Sequence, residues 1–149
     1  MTPPARRGLL AIAAVVDIAL HARPAPVSSK ALAARHGLPA RHLEPLLQLL
    51  VREGILKGLR GPRGGYELAR ERRRVTAGEI MRAVIVDPVE ANGQEEPSGL
   101  IETVVAPELE RALTAYLAVL DAVTVEELCR KAKTSDSASA TPQLADFTI

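Results

Sequence analysis

"SSKALAARHGLPARHLEPLLQLLVREGILKGLRGPRGGYELA", residues 28–69, is the stretch that decides the predicted fold. Ser28 is of a residue type that caps helix N-termini, so a short helix is predicted to run from it to His36. Gly37 suits the left-handed backbone that ends a helix. A second helix is predicted over residues 40–53. Two helices joined by a tight turn that begins with glycine are typical of a helix-turn-helix.

The second helix carries an apolar stripe on one side. Its members are Leu43, Leu46, Leu47 and Leu50. An ordinary antiparallel helix pair would show the same stripe, so that structure stays as the alternative. Pro45 lies inside the helix, where a proline removes a hydrogen bond and costs about 3 kcal/mol in a helix interior. We therefore expect either a slight bend at this position or a later regular start.

Two short β-strands are predicted directly after these helices, in "GILKGLR" and "YELA". The intervening "GPRGG" is a turn, because glycine and proline permit the necessary backbone angles. A hairpin after a helix-turn-helix is a winged helix. Arg60 and Arg63 would lie at the tip of this wing, away from any core, and we expect them to contact an external partner. A narrow minor groove attracts inserted arginine, and phosphates accept its donors.

Charge is divided unevenly between the two halves of the chain. Residues 1–74 contain 14 Lys/Arg and 5 Asp/Glu, whereas residues 75–149 contain 5 Lys/Arg and 13 Asp/Glu. A net charge of +1 conceals this division. The first half is typical of a polyanion-binding surface. Charge blocks that only keep a protein in solution are the simpler alternative.

The rest of the chain is predicted to be helical scaffold. A first helix over residues 5–22 is apolar nearly all round and needs cover. Capping boxes at Thr76 and Thr124, each followed three residues later by a glutamate, open two further helices. Between them a helix over 107–121 carries one apolar stripe, made of Leu109, Leu113, Tyr116, Leu117 and Leu120. We expect this stripe and the first helix to meet across a two-fold axis and form a homodimer.

These elements predict a mainly α fold, with a winged helix-turn-helix domain, a two-stranded wing and a long C-terminal dimerisation helix. The predicted divisions are a DNA-binding domain over 1–86, a flexible loop over 87–106, dimerisation helices over 107–133 and a disordered tail over 134–149. The chain has 149 residues and one cysteine, which excludes an internal disulfide and fits a reducing cytoplasm. No apolar run reaches the roughly 18 residues of a membrane span, and no signal-peptide cleavage site follows the first helix.

The segments "ALAARHGLPARHLEPLLQLLVREGILKGLRGPRGGYELA" and "VTAGEIMRAV" resemble the Rrf2 (Rrf-two) family of IscR/NsrR-type bacterial transcription regulators. The motif "RGPRGGYEL" after "LVREGIL" is the most specific part, and the similarity covers residues 8–86 strongly and 104–130 more loosely. The resemblance implies a homodimer on palindromic double-stranded operator DNA. It also implies a recognition helix in the major groove and a wing that reaches toward the minor groove.

Carried over position by position, the resemblance assigns DNA contacts to the start of each helix of the motif and to the wing tip. The predicted DNA-binding residues are Ser28, Ser29, Lys30, Ala40, Arg41, His42, Glu44, Arg60, Gly61, Arg63, Gly64 and Gly65. Arg41 is suited to a bidentate contact with guanine, and Glu44 to accepting from cytosine. His42 stands where many members carry tyrosine. Tyr66 is expected to pack the wing base rather than contact a phosphate, and the arginines at 72–74 to form a solvated or phosphate-grazing cluster.

Cluster-binding members of the family carry three cysteines before the long helix, but "DPVEANGQEEPSGLIETVVAPE", residues 87–108, has none. Iron–sulfur ligation needs several thiolates, so no cluster, no metal and no other cofactor are predicted. The histidines at 21, 36 and 42 are assigned structural or surface roles. Cys129 is expected to be buried or idle, with a thiol switch between subunits as the alternative.

The sequence therefore predicts a cytoplasmic, sequence-specific transcriptional regulator, most simply a repressor. The effector is left open between a small molecule, a thiol change and a partner protein. An enzyme is not predicted, because no activated nucleophile, carboxylate pair or phosphate loop is present; "GPRGGY" lacks the Lys-Ser/Thr ending of a nucleotide loop. The alternative is a winged-helix dimer that acts mainly as a protein-interaction module with weak or vestigial DNA binding, which His42 and Pro45 favour.

Overall fold

The computed structural model describes residues 3–85 and 98–139, and it is mainly helical with one small sheet. The helices are α1 (Pro3–His21), α2 (Ser29–His36), α3 (Ala40–Arg52), α4 (Ala77–Ile85), α5 (Ala106–Asp121) and α6 (Val125–Ser139), and the strands are β1 (Leu56–Leu59) and β2 (Gly65–Leu68). A 3₁₀ turn at Arg72–Arg74 joins the sheet to α4. None of the described helices is long and apolar enough to cross a membrane.

The helix-turn-helix forms as its sequence predicts. The hydroxyl of Ser28 accepts a hydrogen bond from the amide of Ala31 at 3.1 Å and caps α2. Gly37 ends α2 at a φ of 63°, a left-handed conformation that costs glycine nothing. The next helix, α3, starts at Ala40 and continues through Pro45. The expected later start is therefore wrong, because the proline ring lies on the exposed side and disturbs no core contact.

The wing is an antiparallel hairpin in which Leu56 pairs with Leu68 and Leu59 with Gly65. It is joined to the rest of the domain by a bridge from Val27, whose backbone exchanges hydrogen bonds of 3.0 Å and 2.7 Å with Tyr66. The predicted mainly α, winged helix-turn-helix fold is confirmed.

One core lies between α1, the helix-turn-helix, β1, α4 and α6. Its largest fully buried side chains are Val15, Ile18, Leu32, Leu43, Leu47, Leu50, Leu56, Val75, Ile80, Val125 and Cys129. One face of α1, made of Ala11, Ala14, Val15 and Ile18, is covered here by other elements of its own chain. Leu9 is exposed, and Ile12 and Val16 are only partly buried, so the expected contact of this other face with a partner chain stays a prediction.

The predicted threonine caps form at both positions, and the capping box is reciprocal at Thr76, whose amide donates back to Oε2 of Glu79 at 3.4 Å. The hydroxyl of Thr76 accepts from the amide of Glu79 at 3.1 Å, and that of Thr124 from the amide of Glu127 at 3.1 Å. Thr76 and Thr124 also form a β-bridge, which joins the start of α4 to the turn between α5 and α6.

Two predicted boundaries differ from the structure. Part of the predicted loop over 87–106 is helical, since a π-helical turn at Ile101–Val105 leads directly into α5. The wider turn accommodates Pro107, whose ring would clash with a carbonyl in a regular helix. Similarly, α6 runs to Ser139 and not to 133, supported by the ion pair between Lys131 and Glu127 at 3.3 Å. The remaining parts of the predicted loop and tail, 87–97 and 140–149, lie outside the described residues.

Candidate nucleic-acid interface

The recognition helix α3 has one buried and one exposed side. Leu43, Leu46, Leu47 and Leu50 are buried, as helical spacing requires. Arg41, His42 and Glu44 occupy the exposed side of the first turns. The side chain of Ala40 is half-buried and packs against the core, so a DNA contact there would be limited to its backbone and methyl group.

The start of α2 lies beside this exposed side. The hydroxyl of Ser29 donates to Oε1 of Glu44 at 3.4 Å, which brings two predicted DNA-contact residues of different helices together. Lys30 is exposed. The free amides at a helix N-terminus favour a phosphate, and a lysine beside them adds charge attraction.

The wing tip carries two exposed guanidinium groups. Within residues 3–85 and 98–139, Arg60 and Arg63 form no ion pair or side-chain hydrogen bond. Gly61 has a φ of 112°, a conformation that L side chains rarely adopt. Two further wing glycines have an internal structural role: a Cβ at Gly64 would collide with the carbonyl of Leu59, and one at Gly65 with that of Val27.

A hydrogen bond that the sequence analysis missed joins the wing to the recognition helix. Gln48 of α3 donates its side-chain amide to the Tyr66 hydroxyl of β2 at 3.1 Å. Tyr66 is half-buried at the base of the wing, as expected. The sequence offers one weak signal for this contact. Tyr66 has an apolar ring and a polar hydroxyl, and it follows Gly64 and Gly65 at the base of the wing.

A second missed feature is a buried charge cluster under the helix-turn-helix. Asp17 of α1 is 8% exposed. Arg35 of α2 donates to both oxygens of its carboxylate at 2.6–3.1 Å, and His36 lies at 3.0 Å. Burial alone would raise the pKa of Asp17, but the hydrogen bonds and charge of Arg35, with His21 and His36, hold it below its ordinary value. The cluster fixes the end of α2 on α1.

The arginines at 72–74 are expected to form a solvated or phosphate-grazing cluster, and Arg73 and Arg74 are exposed. Arg72 is half-buried and lies against the Cys129 thiol of α6, whereas Arg73 pairs with Glu71 at 2.5 Å. Cys129 is 1% exposed. Burial raises the pKa of this thiol, and the nearby Arg72 charge only partly opposes that effect. A protonated, inaccessible thiol is a poor nucleophile.

An exposed apolar ridge runs along the π-helical turn and α5. Its members are Leu100, Ile101, Val104, Val105, Leu109, Leu113, Tyr116 and Val119. The predicted stripe is divided between this ridge and the core side, since Leu117 and Leu120 are half-buried. A contiguous apolar surface of this length is typical of an interaction site.

The comparisons with known proteins agree with this geometry. A family model described as Rrf2, an iron-dependent transcriptional regulator, matches residues 5–131. The chain is 30% identical over 137 residues to the HTH-type transcriptional regulator IscR of Xenorhabdus nematophila, covering 89% of this chain and 82% of the relative. It is 33% identical over 95 residues to IscR of Vibrio atlanticus, covering 62% of this chain and 55% of the relative.

Two solved structures share the fold. The structure of T. potens IscR has a TM-score of 0.65 at 30% identity and covers 91% of this chain and 89% of its own. That of CymR, the global cysteine regulator of B. subtilis, has a TM-score of 0.60 at 29% identity and covers 88% of this chain and 96% of its own.

The iron dependence in the family description can be tested against the residues of this chain. Iron–sulfur clusters are held mainly by cysteine thiolates, and this sequence has one cysteine. The thiol of Cys129 lies in the core, so it does not fit the role of a cluster ligand. Across the described ranges, no group of three or more His, Cys, Asp or Glu side chains is arranged to hold a metal ion.

Proposed function

Because the chain belongs to the Rrf2 family of transcriptional regulators, we propose that it is a homodimeric, sequence-specific DNA-binding repressor without an iron–sulfur cluster. The family and the winged helix-turn-helix make it a DNA-binding regulator. The dimer, the repressor role and the lack of a cluster are the parts that the proposal adds. The chain would act on DNA in the cytoplasm and catalyse no reaction.

The observation that carries this proposal is the pair of wing-tip arginines, which have no ion-pair or side-chain hydrogen-bond partner among residues 3–85 and 98–139. Ordering a glycine-rich turn costs conformational entropy. An arginine at its tip that only contacts water would not offset this cost. Arg60 and Arg63 would instead enter the minor groove or bind the phosphates beside it. The exposed start of α3 would enter the major groove, where Arg41 is suited to guanine.

The residues around this helix would fix its register on the duplex. Ser28, Lys30 and the backbone amide of Ser29 would bind phosphate oxygens, which position a protein without reading sequence. Glu44 would accept from a cytosine amino group, and its bond to Ser29 would hold the carboxylate toward the groove. Gly61, Gly64 and Gly65 would let the wing backbone approach the duplex closely.

The apolar ridge supports a two-fold assembly. Its side chains would be covered by the same ridge of a second copy, since a two-fold interface is self-complementary. Two recognition helices related in this way would bind the two halves of a palindromic operator. A dimer bound over a promoter blocks transcription without any further contact, which makes a repressor the simplest regulator of this form.

The experiment that tests the function is capture of genomic DNA fragments by the purified chain. We expect a small set of fragments with a palindromic motif to be enriched, and the absorption spectrum of the same sample to lack an iron–sulfur band. Recovery of one stoichiometric protein with no enriched DNA at low salt would favour a protein-interaction module instead. A cluster band would overturn the cofactor part of the proposal alone.

Replacing both wing arginines, Arg60→Ala and Arg63→Ala, should weaken binding to an enriched fragment by about 1–3 kcal/mol for each side chain that reads a base edge. The plot of log affinity against log salt should also become less steep by nearly one unit for each phosphate that is no longer bound. Fluorescence anisotropy measures both quantities. Arg130→Ala, an exposed arginine of α6, is the matched control and should change neither. Unchanged binding by the double variant would remove the wing from the mechanism.

A further inference from the structure

A cleft of about 710 Å³ lies behind the wing, between the end of α1, the outer face of the sheet, the 3₁₀ turn and the first turn of α6. We call it the rear cleft. Its volume is within the range of small-molecule sites, which is about 300–1,000 Å³. Four elements that are distant in sequence form its walls, so a ligand in it would contact the wing and the C-terminal scaffold together.

The rear cleft opens on the side of the wing away from the recognition helix. Successive residues of a strand point to opposite faces of a sheet. Tyr66 points to Gln48 of α3, so its neighbour Glu67, with its cross-strand partner Lys57, faces the other way and lines the cleft. A ligand in the cleft would therefore leave the exposed side of α3 open.

The charged groups of the rear cleft are not balanced. Lys57 and Glu67 form an ion pair at 2.7 Å, which satisfies both. Arg73 and Glu71, also in the wall, satisfy each other at 2.5 Å. A further wall residue, Arg70, pairs at 3.0 Å with a glutamate that lies outside the cleft.

Two guanidinium groups of the cleft remain without a carboxylate. In the described parts of the chain, neither Arg23 nor Arg72 is within ion-pair distance of an acidic side chain. Arg72 is half-buried and lies near the Cys129 thiol, so less of its side chain is free to move than that of an exposed arginine. Glu126 is the one wall carboxylate without an ion-pair partner among the described residues. Two guanidinium groups without an acidic partner outnumber this one carboxylate. Such a pair of groups favours binding of an anion with several oxygen atoms.

We propose that the rear cleft is an effector site for a small multivalent anion, with carboxylate or phosphate groups, held by Arg23 and Arg72. The ligand adds negative charge directly behind the wing and lies within about one Debye length, 8–10 Å, of the wing strands. DNA phosphates are repelled by this charge. Binding of the anion and of DNA are therefore negatively coupled, and this second half rests on the proposed DNA-binding function.

The first test uses the full chain without DNA. Citrate and pyrophosphate are titrated separately by calorimetry, and saturable binding of one molecule of either per chain is expected. The anion that binds more tightly identifies the carboxylate or the phosphate class. Arg23→Gln should weaken binding about tenfold, the effect of removing one charge-assisted hydrogen bond. Arg52→Gln, an exposed arginine at the end of α3 and outside the cleft, should leave it unchanged.

Absence of saturable binding by both probes, or equal losses of affinity in the two variants, would overturn the site. Arg72→Gln extends the test, and because Arg72 contacts the core, its thermal unfolding is measured alongside. Arg23 is exposed and outside the core, so its variant decides the question even if Arg72→Gln fails to fold.

The second test measures the DNA affinity of the wild-type chain with and without the tighter anion at constant ionic strength. We expect the anion to weaken DNA binding by the wild type and by Arg52→Gln at the same concentration, and about tenfold more anion to be needed for the same effect on Arg23→Gln. If Arg23→Gln instead weakens DNA binding in the absence of any anion, the cleft arginines are phosphate contacts and the effector proposal is wrong. A wild-type chain that binds no DNA would refute the proposed function but leave the calorimetric result on the cleft intact.

Discussion

Among the side chains that the structure describes, Asp17 is the one buried carboxylate. It accepts hydrogen bonds from Arg35 of α2. An unpaired carboxylate at this depth would be costly. The ion pair with Asp17 therefore holds Arg35 against α1, and it holds the C-terminal end of α2 in the same place. Because α2 packs on the recognition helix, this single charge contributes to the angle at which Arg41 is presented.

Replacement of this carboxylate by an amide should be destabilising. We expect Asp17→Asn to lower the free energy of unfolding by about 2–3 kcal/mol at neutral pH, the magnitude of hydrogen bonds to a charged group. Chemical denaturation measures this effect. Glu110→Gln, which removes an exposed carboxylate of α5, is the control and should change stability little.

The pH dependence of the same difference follows from the direction of the pKa shift. The pKa of Asp17 is lowered in the folded chain from its ordinary value of 3.8. Its stabilising effect is therefore complete above that value and is lost as the pH falls below it toward the folded pKa. The stability difference between wild type and Asp17→Asn should shrink below about pH 4. A difference that stays constant from pH 6 to pH 3 would contradict this role.

At this scale the sequence predicts local contacts better than distant ones. The caps at Ser28, Thr76 and Thr124 were predictable because each joins residues three positions apart. The bond from Gln48 to Tyr66 and the cluster at Asp17 join residues 18 or 19 positions apart. No periodicity reports such pairs. A lone aspartate in an apolar helix signals that a buried partner exists, but it does not say which one.

The wing is attached to the domain through a close backbone contact. Val27 and Tyr66 exchange two backbone hydrogen bonds, and this distance is possible because Gly65 has no side chain to separate the strands. The wing therefore has three supports: this bridge, the bond to Gln48 and the buried Leu56. Its tip arginines depend on these supports for their direction.

A methyl group at the bridge should detach the wing. Gly65→Ala forces a Cβ into the Val27 carbonyl, and we expect a decrease of about 1–3 kcal/mol in stability, as for overpacking elsewhere. Affinity for an enriched DNA fragment should also fall, although Arg60 and Arg63 are unchanged. Gly58→Ala is the matched control on the same hairpin, since its Cβ would meet only the Tyr66 ring, at 3.9 Å. Equal DNA affinity in the two variants would show that the bridge does not orient the wing.

The order and type of the elements were predictable, and some of their ends were not. Leucine spacing placed α3, and glycine and proline placed the hairpin. The apolar stripe predicts that α5 begins near Pro107. The structure continues the helix backward through a π-helical turn, a register that no single residue type specifies. The end of α6 was missed because serine and threonine there suggested an unfolded tail.

Over the whole molecule, the uneven charge of the sequence corresponds to a division of roles. The basic first half forms α1, the helix-turn-helix and the wing, and the acidic second half contains α4, α6 and α5, the helix that carries most of the apolar ridge. Within the second half, α5 is joined to α4 at Gly78, where Asp121 lies so close that a side chain would collide, and by the bidentate ion pair of Arg82 with the same Asp121. Movement of the ridge helix would therefore be transmitted to α4 and the core beneath the wing.

Composition could not show which apolar surface is left for a partner. Both α1 and α5 are rich in apolar residues, and both were expected at the two-fold axis. The fold buries Ala11, Ala14, Val15 and Ile18 of α1 in its own core, whereas α5 has no buried residue. On the described part of α1, Leu9 is the large apolar side chain that is most exposed, at 51%. Packing between residues far apart in the sequence decides whether the apolar surface of α1 or that of α5 is buried within the chain.

The exposed ridge provides the test of the dimer. Leu109 is 65% exposed and Leu113 is 38% exposed, so glutamates at these two positions would be tolerated by an isolated chain. In a dimer they would place uncompensated charges in an apolar interface, at a cost of several kcal/mol. We expect Leu109→Glu with Leu113→Glu to sediment as a monomer in analytical ultracentrifugation, with an unchanged far-ultraviolet circular dichroism spectrum.

The DNA affinity of this monomer should be far lower than that of any variant that lacks one side chain at the DNA-binding surface. Two linked half-sites gain affinity from the high effective concentration of the second after the first has bound, by about 10²–10⁴-fold. The double variant should lose a factor in this range on a palindromic fragment and much less on a single half-site. Ala118→Glu, on the side of α5 away from the ridge, should remain a dimer and bind normally. A double variant that stays dimeric, or a monomer with full affinity for the palindrome, would exclude the ridge as the interface that joins two DNA-binding domains.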